Sequence, residues 1–176
     1  MADHPGPANR PTPGQAWALP TPQALTQAIR TCRDNPRFLS ELSDILRQAE
    51  QEVQQLGAAC KACGNCCHFD RMEHRLFAST GELALLAFRP PACLETCQRD
   101  RCPYQQDGLC TARDVRPLGC RTFFCDPALA GKAQDIHEFH HHRVRQLHQN
   151  CSVPYAYAEV LSSLLSIRNR CIDKML

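Results

Sequence analysis

Long apolar runs, aromatic side chains and blocks of like charge are all scarce in this chain of 176 residues, and each scarcity removes a class of function. No segment approaches the ~20 consecutive apolar residues that a membrane-spanning helix needs, so no membrane association is expected. Net charge is +2 with the basic residues scattered, and aromatics make up 6% of the chain. There is neither an electrostatic footprint for a phosphate backbone nor a stacking surface for bases, and nucleic acid is not an expected partner. Six prolines among the first 22 residues interrupt any apolar stretch of the kind a secretory leader carries, which points to the cytoplasm. A Gly-rich nucleotide loop, a P-loop lysine motif, a Gly-x-Ser-x-Gly elbow and the Cys-x3-Cys-x2-Cys of radical chemistry are missing too, which argues against an enzyme.

What the chain has in excess is cysteine, 13 residues in all. The count is odd, so complete intramolecular pairing is impossible. In a reducing compartment, closely spaced cysteines serve more often as metal ligands than as disulfides. A chain of this length buries a core without covalent help, so metal is not needed merely to make it fold.

The chain divides into four stretches. Residues 1–20, rich in Pro, Gly and Ala without apolar periodicity, read as a disordered tail. Residues 21–57 carry two helices. Thr21–Pro22 and Asn35–Pro36 each place a capping side chain before a proline at the first helical position. Phe38, Leu42, Ile45, Leu46, Ala49, Val53 and Leu56 then recur at three- and four-residue intervals up to Gly57, as a core-facing stripe does. Residues 58–126 hold most cysteines in a Gly- and Pro-rich, loop-like segment. Within it Ser79 and Glu82 have capping-box spacing ahead of a short helix ended by Pro90–Pro91. Val115 to Phe124 reads as irregular, with room for a short extended piece. Residues 127–176 read as C-terminal helices packing on the same domain, one from Pro127 to Asn150 and one after Pro154 with Tyr157, Val160, Leu161, Leu164, Leu165 and Ile167 on its apolar face. The fold class expected is mainly α, with helices packed around an irregular cysteine-rich metal-binding core and little or no sheet.

The decisive run is Cys60-Lys-Ala-Cys63-Gly-Asn-Cys66-Cys67, whose two-residue spacers let three sulfurs converge while Gly64 turns the backbone. Thiolate suits zinc, Cu(I) or iron–sulfur clusters. Adjacent side chains generally diverge, so Cys67 is expected to serve a second metal or a polynuclear centre rather than the mononuclear site of Cys66. Cys102–Pro103, Cys110, Cys120 and Cys125 supply the remaining sulfurs. One partition gives Cys60, Cys63, Cys66 and Cys102 to a [4Fe–4S] cluster and Cys67, Cys110, Cys120 and Cys125 to a second four-sulfur site, but spacing fixes candidates better than connectivity. Such sites carry a formal charge near minus two. Arg116 and Arg121, flanking Cys120, either offset it or form surface salt bridges, and the sequence leaves both open.

These stretches, with Cys110-Thr-Ala-Arg-Asp-Val-Arg-Pro-Leu-Gly-Cys-Arg ending at Arg121, resemble the YkgJ-type cysteine cluster family over roughly residues 58 to 126, with seven cysteines at matching positions. The resemblance implies a zinc- or iron-chelating domain. More distantly, flagellin lysine methylases carry a related cluster. The chain departs from the family pattern at Ala112 and Arg113, where an apolar residue and a tyrosine are usual, and Cys125 is not a usual signature position.

The other candidates have plainer readings. Cys93 and Cys97 are expected to be ordinary thiols, and Cys32, Cys151 and Cys171 small buried side chains. His137, His140, His141, His142 and His148 are expected to be solvated side chains of a surface helix, although His137 and His141 share a face at chelating separation. His68 and Asp70 stand near enough in sequence to substitute for a thiolate. The functions implied are metal binding through clustered thiolates in a structural, metal-handling or electron-transfer role, an iron–sulfur-dependent redox or protein-modifying enzyme or its accessory subunit, or a zinc-stabilised module for an unidentified protein partner.

Overall fold

The computed structural model describes residues 21–57, 64–87, 89, 101–123 and 127–172, with side chains at all of these except 127 and 167–172. The tail expected over 1–20 lies outside the described residues. The fold is mainly α. Among the described residues no helix is long and apolar enough to cross a membrane.

The two N-terminal helices form as their caps dictate. Helix α1 spans Pro22–Arg33, and Thr21 Oγ1 accepts from the Ala24 amide at 3.2 Å. Helix α2 spans Pro36–Gln55, and Asn35 Oδ1 accepts from the Phe38 amide at 3.0 Å. Phe38, Leu42, Ile45, Leu46, Ala49 and Val53 of α2 are all buried, so the apolar stripe is core.

Strand β1, Phe77–Ser79, runs directly into helix α3, Thr80–Ala87. The capping box closes in both directions, with Ser79 N donating to Glu82 Oε2 at 2.7 Å and Glu82 N to Ser79 Oγ at 3.3 Å. Every residue from Thr80 to Leu86 is buried, so α3 is the central helix and needs no polar face. Gly81 permits its close approach to α2: a Cβ there would lie 2.7 Å from Phe38 Cζ and 2.9 Å from Leu42 Cδ2.

The final segment differs from expectation. Tyr157 does not lie on a helix but in strand β4, Tyr157–Glu159, which pairs antiparallel with β1 in the register Phe77↔Glu159, Ala78↔Ala158 and Ser79↔Tyr157. The free edge of β1 offers long-range partners that periodicity cannot reveal: Thr80 N donates to Ala156 O and Val160 N to Leu76 O. Helix α6, Val160–Ile172, starts only where the Glu159 carboxylate accepts from the amides of Leu161 and Ser162.

A second two-residue ladder joins β2, Gln105–Gln106, to β3, Leu109–Cys110. Its turn, Asp107–Gly108, has positive φ at both residues, the backbone an Asp-Gly hairpin turn requires. The region expected to be irregular or extended after Val115 is instead helical: a 3-10 turn over Arg113–Val115 precedes α4, Leu118–Thr122, whose first carbonyl, Pro117 O, accepts from both Cys120 N and Arg121 N.

Helix α5, Ala130–Asn150, follows a 3-10 turn at Pro127–Leu129 and packs on α2 and α4. Here the solvated-histidine reading is corrected. His140 and His148 are 0% and 1% exposed, His137 and His141 are half-buried, and only His142 of the row is exposed. The helix buries them because each ring finds company. His148 Nδ1 lies 3.3 Å from Val153 O, with Phe38 and Tyr155 edge-on around it, and His140 Nε2 stands 3.1 Å from Glu52 Oε1. One apolar core runs from Leu25 of α1 to Leu164 of α6.

Candidate metal centre

The cysteine segment is folded by its glycines and its cross-strand bonds rather than by long elements. Gly64 has φ +70, and a Cβ there would come within 2.7 Å of Gly108 O, so only glycine lets the Asn65–Cys67 turn lie against the β2–β3 hairpin. Cys67 O then accepts from Cys102 N at 2.8 Å, stitching two segments more than thirty residues apart. Helix α4 brings Cys120 to the same place.

Five of the eight expected ligands, Cys66, Cys67, Cys102, Cys110 and Cys120, thus line one cavity of about 620 Å³. Cys60, Cys63 and Cys125 lie outside the described residues, as do Cys93 and Cys97, and the Cys171 side chain is not described. Cys32 sits fully buried in the core beside α3 and the Pro154 carbonyl, as expected of a structural thiol, and Cys151 ends α5 half-buried. Of the two suggested substitutes, Asp70 pairs with Arg75 at 3.5 Å and His68 forms a backbone bridge with Arg101.

Cys66 and Cys67 both line the cavity with Cys102, near enough for each thiol to act on its neighbour's titration. The Cys67 thiol, then burial, pushes the Cys66 thiol well up, and the Cys102 thiol with burial, against the opposite pull of Cys66, takes Cys67 up to about 12. Burial first, then the nearby Cys67, Cys66 and Cys110, raises Cys120 as well. The Arg116 guanidinium acts in the opposite sense on Cys66 and Cys120, which places positive charge beside both. Among the described residues no three His, Cys, Asp or Glu side chains converge to hold a metal ion.

The two arginines are not surface residues. Arg116 and Arg121 side chains are 12% and 7% exposed, and both pair with Glu50 of α2, Arg116 Nη2 at 2.6 Å from Glu50 Oε1. Arg121 also donates to the carbonyls of Arg116 and Asp114, so it braces the loop that leads into α4. Arg116 differs in one respect: its Nε–H is buried with no hydrogen-bond acceptor among the described residues, while the residue lines the cavity. A buried donor without a partner costs roughly 1–3 kcal/mol, and anionic sulfur beside it would relieve that cost. The cavity thus offers sulfur, the donor type a soft or borderline metal takes, without the described sulfurs converging on one point.

Three contributors were not singled out from sequence. Glu50 holds both arginines from 66 residues upstream of Arg116, and nothing local marks it among the charges of α2. His74 stacks on Phe123 at 5.2 Å beside the cavity, and Thr122 Oγ1 meets His137 Nδ1 at 3.0 Å. The His137–His141 spacing was the available signal for the last. No known sequence family, curated protein or solved structure matches this chain.

Proposed function

We propose that this chain is a metal-binding protein that holds zinc or iron, the latter as an ion or as a [4Fe–4S] cluster, through the thiolates of its cysteine segment. The observation that carries the reading is the gathering of Cys66, Cys67, Cys102, Cys110 and Cys120 from four separate local structures around one cavity, beside the unpaired Nε–H of Arg116. Disulfide-free structural thiols need no such gathering, nor a buried guanidinium next to them. Cys60, Cys63 and Cys125 adjoin the same segment in sequence and complete the proposed ligand set.

Thiols held well above the usual range stay protonated at neutral pH until a cation displaces their protons. Metal uptake then releases protons, and affinity rises with pH. Bound zinc would supply cross-linking of the loops, and a bound cluster would supply one-electron chemistry. Arg116 would offset the charge on the sulfurs, and the Glu50–Arg121 pair would hold α4 in register with the Cys66 turn.

The test is metal and acid-labile sulfide analysis with a visible spectrum, on protein purified without oxygen. Cys66→Ser and Cys120→Ser should each lower metal content, whereas Cys151→Ser should not. Equal content in all three, or protein that takes up neither zinc nor iron, defeats the proposal. Iron with matching sulfide assigns the cluster and favours electron transfer or redox enzymology; colourless protein with zinc assigns a structural or metal-handling role and directs attention to a protein partner.

A further inference from the structure

Four of the five large apolar side chains exposed on the described surface, Phe77, Leu109, Phe123 and Tyr157, line the cysteine cavity, and only Phe139 lies elsewhere. Scattered apolar exposure is ordinary; exposure collected at the mouth of one cavity is a mark of binding. Three of these side chains are held by stacking, Phe77 and Tyr157 on each other at 5.8 Å and Phe123 on His74 at 5.2 Å. A closed structural metal site needs neither a cavity of about 620 Å³ nor an aromatic mouth, and that volume is in the range of small-molecule pockets.

The polar group on the α5 wall can be assigned a tautomer. Thr122 Oγ1 lies 3.0 Å from both Leu118 O, which can only accept, and His137 Nδ1, and both contacts are hydrogen bonds at once only when the hydroxyl donates to Leu118 O and accepts from Nδ1. That pairing puts the imidazole hydrogen on Nδ1. The ring lines the cavity, and with that pairing the nitrogen left to a ligand is Nε2. An imidazole fixed on one nitrogen by the protein presents a directed acceptor on the other.

From these observations we infer that the cavity binds a small aromatic molecule bearing one hydrogen-bond donor, of the phenol class, with its ring between the stacked side chains and its hydroxyl donated to His137 Nε2. This assignment rests on the cavity and not on the metal, so the two readings fail separately. The aromatic walls supply most of the affinity and the hydroxyl supplies selectivity, because an acceptor covered by a ligand that offers no donor is left unpaired.

The experiment uses the full chain as purified, with its metal content measured on the same sample. Binding of 2-naphthol and of 2-methoxynaphthalene, which differ in the donor, is measured by calorimetry at neutral pH. The expected result is that naphthol binds about tenfold more tightly, the worth of one buried hydrogen bond. In His137→Leu the preference should vanish, and in Phe123→Ala both ligands should weaken together while metal content is unchanged. Equal affinity of the wild-type protein for the two, or binding of neither, overturns the inference, and these comparisons need no variant to fold. A preference that survives in folded His137→Leu overturns the assignment of the acceptor.

Discussion

Replacing Glu82 by alanine should cost this fold about 4 kcal/mol, because one buried carboxylate closes two separate helix starts. Glu82 is 2% exposed; Oε2 accepts from Ser79 N and Oε1 from Leu118 N, each at 2.7 Å. The first bond caps α3, and the second ties the start of α4, which carries Cys120 and Arg121, to the central helix. Alanine leaves both amides buried without an acceptor, at roughly 1–3 kcal/mol each, and adds a cavity. Glutamine keeps one oxygen and turns an amide NH2 toward the other donor, so its cost should be about half, ~2 kcal/mol. Urea unfolding followed by far-ultraviolet circular dichroism reads this directly. With a slope near 2 kcal/mol/M, the midpoint should fall by about 2 M for alanine and about 1 M for glutamine, with the slope unchanged. Metal content should fall along with it, since α4 loses its anchor. A midpoint within 0.3 M of wild type for alanine would refute the account of Glu82 as the link between core and site.

Three further outcomes are expected. Gly64→Ala should destabilise by about 2 kcal/mol or more and lower the thermal midpoint by about 5 °C, since the new Cβ meets backbone at Gly108, whereas Gly57→Ala, at φ +75 in open space, should cost about half as much; equal effects would contradict the close approach. Glu50→Gln should cost about 3 kcal/mol by leaving two buried guanidiniums short of a counter-charge, which equilibrium unfolding measures; a change below 1 kcal/mol would show that the pair does not brace α4. Burial holds His148 down to about 4, below its ordinary value, so the folded state favours the neutral ring. Its contribution is intact above about pH 6.5 and is lost as pH falls from there to about 4, at most roughly 3 kcal/mol. His148→Asn should therefore show a shallower loss of stability between pH 7 and 4.5, and an unchanged slope would rule His148 out as its source.

The helices at Thr21–Pro22, Asn35–Pro36 and Ser79–Glu82 were legible because capping and apolar spacing are written within a single turn of chain. Strand β4 was not, because Tyr157 to Glu159 are extended only by the offer of β1, far back in sequence. The same holds for the α5 histidines: their spacing suits a surface helix, and only the packing of α5 on α2 and α4 buries His140 and His148. At the site, the cysteine spacing named candidate sulfurs, and only the fold brings five of them, Cys66, Cys67, Cys102, Cys110 and Cys120, to one cavity.

By itself, then, the sequence determined which residues are chemically able to bind a metal and where helices α1, α2 and α3 start, since ligand type, caps and periodicity are local properties. Only the tertiary structure decided which thiols share a cavity, that Glu50 pairs with both Arg116 and Arg121, that Glu82 joins α3 to α4, and that aromatic side chains collect at one mouth. Each of these pairs groups tens of residues apart, and the energy that selects such a pairing comes from burial shared across the whole core, which no window of sequence contains.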